Sequence, residues 1–118
     1  MAIGDCLTMI EIRNAIGTRI ASFDGPSSID MYFGGGLEEG QTGVLVTGRS
    51  VGTVVKDTDE AAPANFGPPI GIELDASTVG NVVEDNAAFD ELVDQHPNCR
   101  GDHWSNNSFA SANQGCIH

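Results

Sequence analysis

Basic side chains are scarce in this sequence. Only 5 Lys and Arg residues stand against 17 Asp and Glu residues among 118, which gives a formal net charge of −12. Such an excess of carboxylates opposes binding to nucleic acid or to an anionic membrane, because both need cations that neutralise phosphate groups. We therefore expect neither of these among the partners of the protein.

Long apolar runs and a secretion signal are also missing. No segment approaches the roughly 20 consecutive apolar residues of a membrane-spanning helix, and residues 1–5 lack the basic and apolar regions that open a signal peptide. The expected location is the cytoplasm in which the chain is made, or a virion if the protein belongs to a viral shell.

Catalytic motifs are not recognisable. The glycine-rich run at 34–40 lacks the Gly-Lys-Ser/Thr ending of a phosphate-binding loop, and no Gly-x-Ser-x-Gly elbow is present. Asp102, His103 and Ser105 supply the residue types of a hydrolase, but such close neighbours in sequence do not specify the geometry that a triad needs. The prediction is therefore no enzyme, no catalytic residue and no cofactor apart from a structural zinc ion considered below.

Short runs of residues that favour strands fill the first half of the chain and recur at 70–75, and some of them alternate between apolar and polar residues. Gly, Pro and Asp turn signals separate these runs, which is typical of strands, and they lie at 6–12, 18–23, 29–33, 43–47, 50–56 and 70–75. No β–α alternation and no internal repeat were identified. The pattern predicts a small, mainly antiparallel β-sandwich or barrel of about six to eight strands, with the first two runs paired as a hairpin and Cys6 as a core thiol.

Two further segments depart from this pattern. Apolar residues at helical spacing before Pro97 predict one short helix near 86–95. Residues 57–69 hold three of the five prolines and are predicted to form a long loop or arm. The expected organisation is a single β-rich domain over 1–96 and a polar C-terminal tail over 97–118 that docks on the domain or on a partner.

Most of the cysteine and histidine is concentrated at the C-terminal end. Five of the six such residues lie in the last 23: His96, Cys99, His103, Cys116 and His118. Thiolate and imidazole are ligands that Zn²⁺ prefers, so Cys99, His103, Cys116 and His118 form a candidate structural zinc site. A Cys99–Cys116 disulfide and unrelated surface positions are the two alternatives that the spacing leaves open.

These features favour a non-enzymatic structural or interaction module of a larger assembly, such as a viral capsid decoration (cement) protein or a similar shell protein. Its partners would be other protein subunits in a homo-oligomer or a shell lattice. One alternative is an acidic inhibitor or nucleic-acid mimic that binds a basic protein surface, because residues 57–99 hold ten acids and no Lys or Arg. The other is a small metal-binding protein or enzyme that uses the C-terminal Cys/His cluster.

Overall fold

The computed structural model describes residues 8–20, 29–32, 42–61, 70–88 and 91–118. In these residues the chain forms short strands and one 3-10 turn over Pro97–Cys99. The strands are β1 (Thr8–Arg13), β2 (Arg19–Ile20), β3 (Ile29–Tyr32), β4 (Thr42–Thr47), β5 (Val54–Lys56), β6 (Thr58–Ala61), β7 (Ile70–Leu74), β8 (Val82–Glu84), β9 (Ala87–Ala88), β10 (Glu91–Asp94), β11 (His103–Ser105) and β12 (Ser111–Ala112).

The strands form three parallel sheets that the chain visits in rotation. Sheet 1 has the order β1-β4-β7-β10-β12, sheet 2 the order β2-β5-β8-β11, and sheet 3 the order β3-β6-β9. Every strand therefore pairs with the strand one circuit earlier or later, and each pairing is parallel. This arrangement is a parallel β-helix, in which each coil of the chain stacks on the one before it.

The predicted antiparallel sandwich or barrel is therefore wrong. Alternation shows that a run is a strand with one buried face, but it carries no information on the direction of the neighbouring strand. Parallel neighbours were expected only with crossover helices between them, whereas in the described part of the chain short turns at 48–53 and 75–81 lead from sheet 1 to sheet 2. The predicted hairpin is also wrong, because β1 and β2 lie in different sheets.

The helix predicted near 86–95 is absent from the described part of that segment. Its residues form β9 and β10 instead. Asn86, Leu92 and Val93 are buried, but Asn86 lies in the turn between β8 and β9, whereas Leu92 and Val93 are neighbours in β10. The apparent helical spacing therefore combines buried residues of a turn and of a strand, not one face of a helix.

The interior of the solenoid is filled by stacked apolar side chains. In sheet 1, Val46 pairs with Ile12 on one side and with Leu74 on the other. Branched and aromatic residues suit this pleated, closely stacked environment. The buried apolar cluster comprises Ile12, Val44, Val46, Val55, Ile72, Leu74, Val83, Leu92, Cys99, Trp104 and Ile117.

A repeated corner joins sheet 1 to sheet 2 in each coil. Its glycine, in the left-handed region, recurs as Gly17, Gly52 and Gly80 at φ +67° and as Gly101 at φ +83°. The sequence holds this repeat as Ile16-Gly17-Thr18, Val51-Gly52-Thr53 and Val79-Gly80-Asn81. The repeat was not predicted from the sequence, because its copies are only three residues long and unevenly spaced.

The corner glycines give a first prediction. Replacing Gly80 by alanine places a Cβ on a residue at φ +67°, which costs an L-residue about 1–2 kcal/mol, although no atom lies within 4 Å of that Cβ. Urea unfolding should show this loss for Gly80→Ala. Gly115→Ala is the matched control, since Gly115 also has open space but no positive φ; an equal loss in both variants would contradict the backbone explanation.

The segments predicted as an arm and a tail contribute to the sheets. Thr58–Ala61 of the predicted 57–69 loop is β6, whereas 62–69, like Cys6, lie outside the described residues. Residues 97–118 supply β11 to sheet 2 and β12 to sheet 1, and Trp104 of β11 is buried. None of the helical structure in the described residues has the length and apolar character needed to cross a membrane.

Candidate functional site

The C-terminal cysteines are joined to each other. Cys99 and Cys116 form a disulfide, which was one of the alternatives that the sequence left open. His103 and His118 of the candidate zinc site are exposed. A disulfide offers no thiolate to a metal, so zinc binding by these four residues requires the reduced chain and stays a prediction.

A different group of potential ligands lies in the interior beside the disulfide-bonded segment. Asp94 ends β10, His96 follows two residues later, and Asp102 directly precedes β11. One ligand atom from each residue lies within 4.8 Å of the other two. His96 Nδ1 is 2.8 Å from Asp94 Oδ1 and 2.6 Å from Asp102 Oδ2. We call these three residues the Asp–His–Asp centre.

The other polar atoms of the centre are held by hydrogen bonds from its surroundings. Trp104 Nε1 donates to Asp94 Oδ2 over 2.7 Å. The main-chain N and the Nδ2 of Asn81 both donate to Asp102 Oδ1 over 2.9 Å. His96 Nε2 lies 2.8 Å from the Thr78 carbonyl oxygen, and because a carbonyl only accepts, Nε2 carries a proton.

Burial makes the charges of this centre interact strongly. The side chains of Asp94 and Asp102 are fully buried, and that of His96 is 12% exposed. Burial, followed by the charge of Asp94, raises the pKa of Asp102 despite the hydrogen bonds from Asn81. Burial lowers the pKa of His96. The hydrogen bonds to Asp94 and to the Thr78 carbonyl, together with the charges of Asp102 and Asp94, outweigh this effect and raise the pKa above its usual value.

One oxygen of the centre has no hydrogen-bond partner. The geometry of a hydrogen bond from His96 Nδ1 is met towards Asp94 and not towards Asp102. Asp102 Oδ2 therefore meets His96 Nδ1 as a charge partner at 2.6 Å without the geometry of a hydrogen bond, and Thr53 Oγ1 and Asn81 Oδ1 are likewise buried without a hydrogen-bond partner. Thr53, Asn81 and Asp102 occupy the same corner position in successive coils.

A second internal column shows what a satisfied polar stack looks like in this fold. Thr58, Asn86 and Asn107 occupy the turn after sheet 2 in successive coils. Asn86 Oδ1 accepts from the Thr58 N and Oγ1, and its Nδ2 donates to the Val55 carbonyl and to Asn107 Oδ1. Asn107 Nδ2 in turn donates to main-chain oxygens of Val83 and His118. We call this set the asparagine ladder.

The outer surface of the corner carries an apolar stripe. Ile16, Val51 and Val79 stand in register through parallel bridges and are 86%, 44% and 60% exposed. They are the large apolar side chains that stand out as exposed among the described residues. Exposed arginines flank them: Arg19 and Arg49 lie within three residues of a stripe member, and the register places Arg100 one coil beyond Val79. We call the three apolar residues the corner stripe.

Only part of this site was predicted from the sequence. His96 was assigned to the C-terminal cluster and Asp102 was considered as a hydrolase acid, but Asp94 was given no role. The available signal was the corner repeat: aligning Gly101 with Gly80 places Asp102 beside Asn81 as an inward polar residue. Without the repeat, nothing indicates that Asp94 and Asp102 meet.

Comparison of the chain with protein-family models, with curated proteins and with solved structures finds no match.

Proposed function

We propose that this protein is a non-enzymatic structural module of a larger protein assembly, of the kind that decorates or reinforces a viral capsid or a similar shell. The corner stripe is the observation that carries this proposal. Three β-branched residues aligned on the outside of a solenoid have no role in its core, and contiguous exposed apolar surface is typical of protein interaction sites.

The charges around the stripe favour a second copy of the same chain as the partner. Arg19, Arg49 and Arg100 make up most of the 5 basic residues of the chain, and 17 acids are spread over the rest of the sequence. An apolar row with a basic surround therefore complements the acidic faces of another copy. Contact between two different faces is heterologous, and repeated contacts of this kind build rings, filaments or lattices.

The remaining chemistry fits a structural role better than a catalytic one. Both carboxylates of the Asp–His–Asp centre are fully buried, and its histidine is 12% exposed. A catalytic group must reach its substrate within about 3 Å, and a side chain enclosed by its own coil does not offer that access without opening of the fold.

The stripe gives a second prediction. Light scattering with size-exclusion chromatography over a range of concentrations should show oligomers of the wild-type chain, and Val51→Asp or Val79→Asp should shift them to monomers. A carboxylate in an apolar contact must be desolvated, which costs several kcal/mol if it stays unpaired, whereas the exposed positions tolerate it in the monomer.

Ala110→Asp is the control for added charge, because Ala110 is also exposed but lies away from the corner in sequence and register. This variant should associate like the wild type. A wild-type chain that remains monomeric at every concentration, or stripe variants that associate as strongly as the control, would contradict the proposed function.

A further inference from the structure

The Asp–His–Asp centre has the arrangement of a metal site rather than that of a purely structural polar cluster. In the asparagine ladder, each amide oxygen and nitrogen is used by a neighbouring donor or acceptor. In the centre, His96 Nε2, Asp94 Oδ2 and Asp102 Oδ1 are bonded to neighbouring groups, and Asp94 Oδ1 accepts from the His96 main-chain N–H over 2.9 Å. His96 Nδ1, Asp94 Oδ1 and Asp102 Oδ2 nevertheless converge on one another.

We propose that Asp94, His96 and Asp102 bind one divalent transition-metal ion such as Zn²⁺, with Asp94 Oδ1, His96 Nδ1 and Asp102 Oδ2 as the protein ligands. One imidazole and two carboxylates are ligands that this class of ion accepts, and the three of them leave a further position for water. The ion would take the place between His96 Nδ1 and the fully buried Asp102 Oδ2, which now meet at 2.6 Å without the geometry of a hydrogen bond.

The surrounding hydrogen bonds match those that hold metal ligands in place. A metal-bound histidine usually donates its other N–H to a carbonyl or a carboxylate, and metal-bound carboxylates are usually hydrogen-bonded at their second oxygen. His96 Nε2 meets the Thr78 carbonyl, Trp104 Nε1 donates to Asp94 Oδ2, and Asn81 donates twice to Asp102 Oδ1. Each ligand is thus oriented by a group that is not itself a ligand.

The ligand spacing requires only a small adjustment. His96 Nδ1 is 2.8 Å from Asp94 Oδ1 and 2.6 Å from Asp102 Oδ2. Zinc bonds to nitrogen and oxygen of about 2.0–2.2 Å place two ligands of one ion roughly 3–3.5 Å apart in tetrahedral or octahedral geometry. The atoms would therefore move apart by some tenths of an ångström when the ion binds.

This site would fix the C-terminal coil to the body of the solenoid. Asp94 belongs to sheet 1, Asp102 leads into sheet 2, and the 3-10 turn with Cys99 lies between them. An ion held by both acids would join the two ends of the segment 94–102, and the Cys99–Cys116 disulfide joins the same segment to the C-terminal residues. The inference is independent of the proposed assembly role, since it concerns the folding of a single chain.

The test uses the full oxidised chain and ZnCl₂ as the probe. Because the centre is enclosed, the protein is refolded from denaturant with and without ZnCl₂, passed through a desalting column and analysed for metal. We expect one zinc ion per chain and a higher unfolding temperature in the zinc-loaded sample. Asp102→Asn and His96→Gln should lose this zinc, and Trp104→Phe should weaken its affinity about 10- to 100-fold.

Glu84→Gln is the matched control for loss of an acidic group outside the centre, and His103→Asn with His118→Asn tests the C-terminal histidines. Both should keep the zinc, and the Co²⁺-loaded chain should lack thiolate-to-cobalt charge-transfer absorption. A wild-type chain that refolds without retaining zinc or cobalt would overturn the proposal. Zinc lost on removing His103 and His118 but kept in Asp102→Asn would overturn it as well.

Discussion

Replacing Asn86 by alanine is expected to destabilise the fold by about 3–4 kcal/mol. The substitution leaves the Thr58 N–H without its acceptor and removes the side-chain donor to the Val55 carbonyl, and each buried unsatisfied group costs about 1–3 kcal/mol. It also breaks the asparagine ladder at its centre, where Asn86 is bonded to Asn107. Urea unfolding followed by the fluorescence of Trp104 would measure the loss.

Thr58→Val is the matched comparison for this effect. It removes the hydroxyl that donates to Asn86 Oδ1 over 2.7 Å but keeps the main-chain bond to the same oxygen, so the expected loss is about 1 kcal/mol. Equal free energies of unfolding for Thr58→Val and Asn86→Ala would contradict the claim that the hydrogen bonds of the asparagine ladder account for the stabilising effect of Asn86.

Removing the disulfide should have the next largest effect, a loss of about 3 kcal/mol. Cys99 and Cys116 are 17 residues apart. A cross-link over a loop of that size lowers the conformational entropy of the unfolded chain, which stabilises the folded state by about 3 kcal/mol. The comparison is between Cys99→Ser with Cys116→Ser and the parent, both carrying Cys6→Ser so that no third thiol can exchange.

Denaturant unfolding of the two chains gives the difference directly. Addition of a reductant should lower the midpoint of the parent to that of the double variant and leave the double variant unchanged. Equal midpoints before reduction would show that the sheets hold this segment without the covalent bond.

The sequence located several strands but not their arrangement. The runs at 43–47 and 70–75 agree closely with β4 and β7. In both runs every second residue is apolar and faces the interior. Whether neighbouring strands run parallel depends on which residues lie one coil away, and alternation within a run is silent on this. The corner glycines indicate which residues lie one coil apart, because Gly17, Gly52 and Gly80 occupy equivalent positions with the same φ in successive coils.

The same missing information explains why the site was not predicted. His96 and Asp102 were both noticed, but in separate contexts, and Asp94 resembled one more acid in an acidic stretch. Their proximity depends on the sharp corner over 95–101, where Asn98 and Cys99 both have positive φ. Such a conformation for two consecutive non-glycine residues is not indicated by residue preference.

The register in sheet 2 implies a direction in which this fold assembles. Arg19 pairs with Val54 after 35 residues, Val54 with Val82 after 28, and Val82 with His103 after 21. Shorter circuits lose less chain entropy on closing, by about 0.5 kcal/mol between the longest and the shortest, and in a solenoid each coil needs a formed neighbour as its template. The C-terminal coils also contain Trp104 and the disulfide. We therefore expect folding to begin in these coils and to propagate coil by coil towards β1.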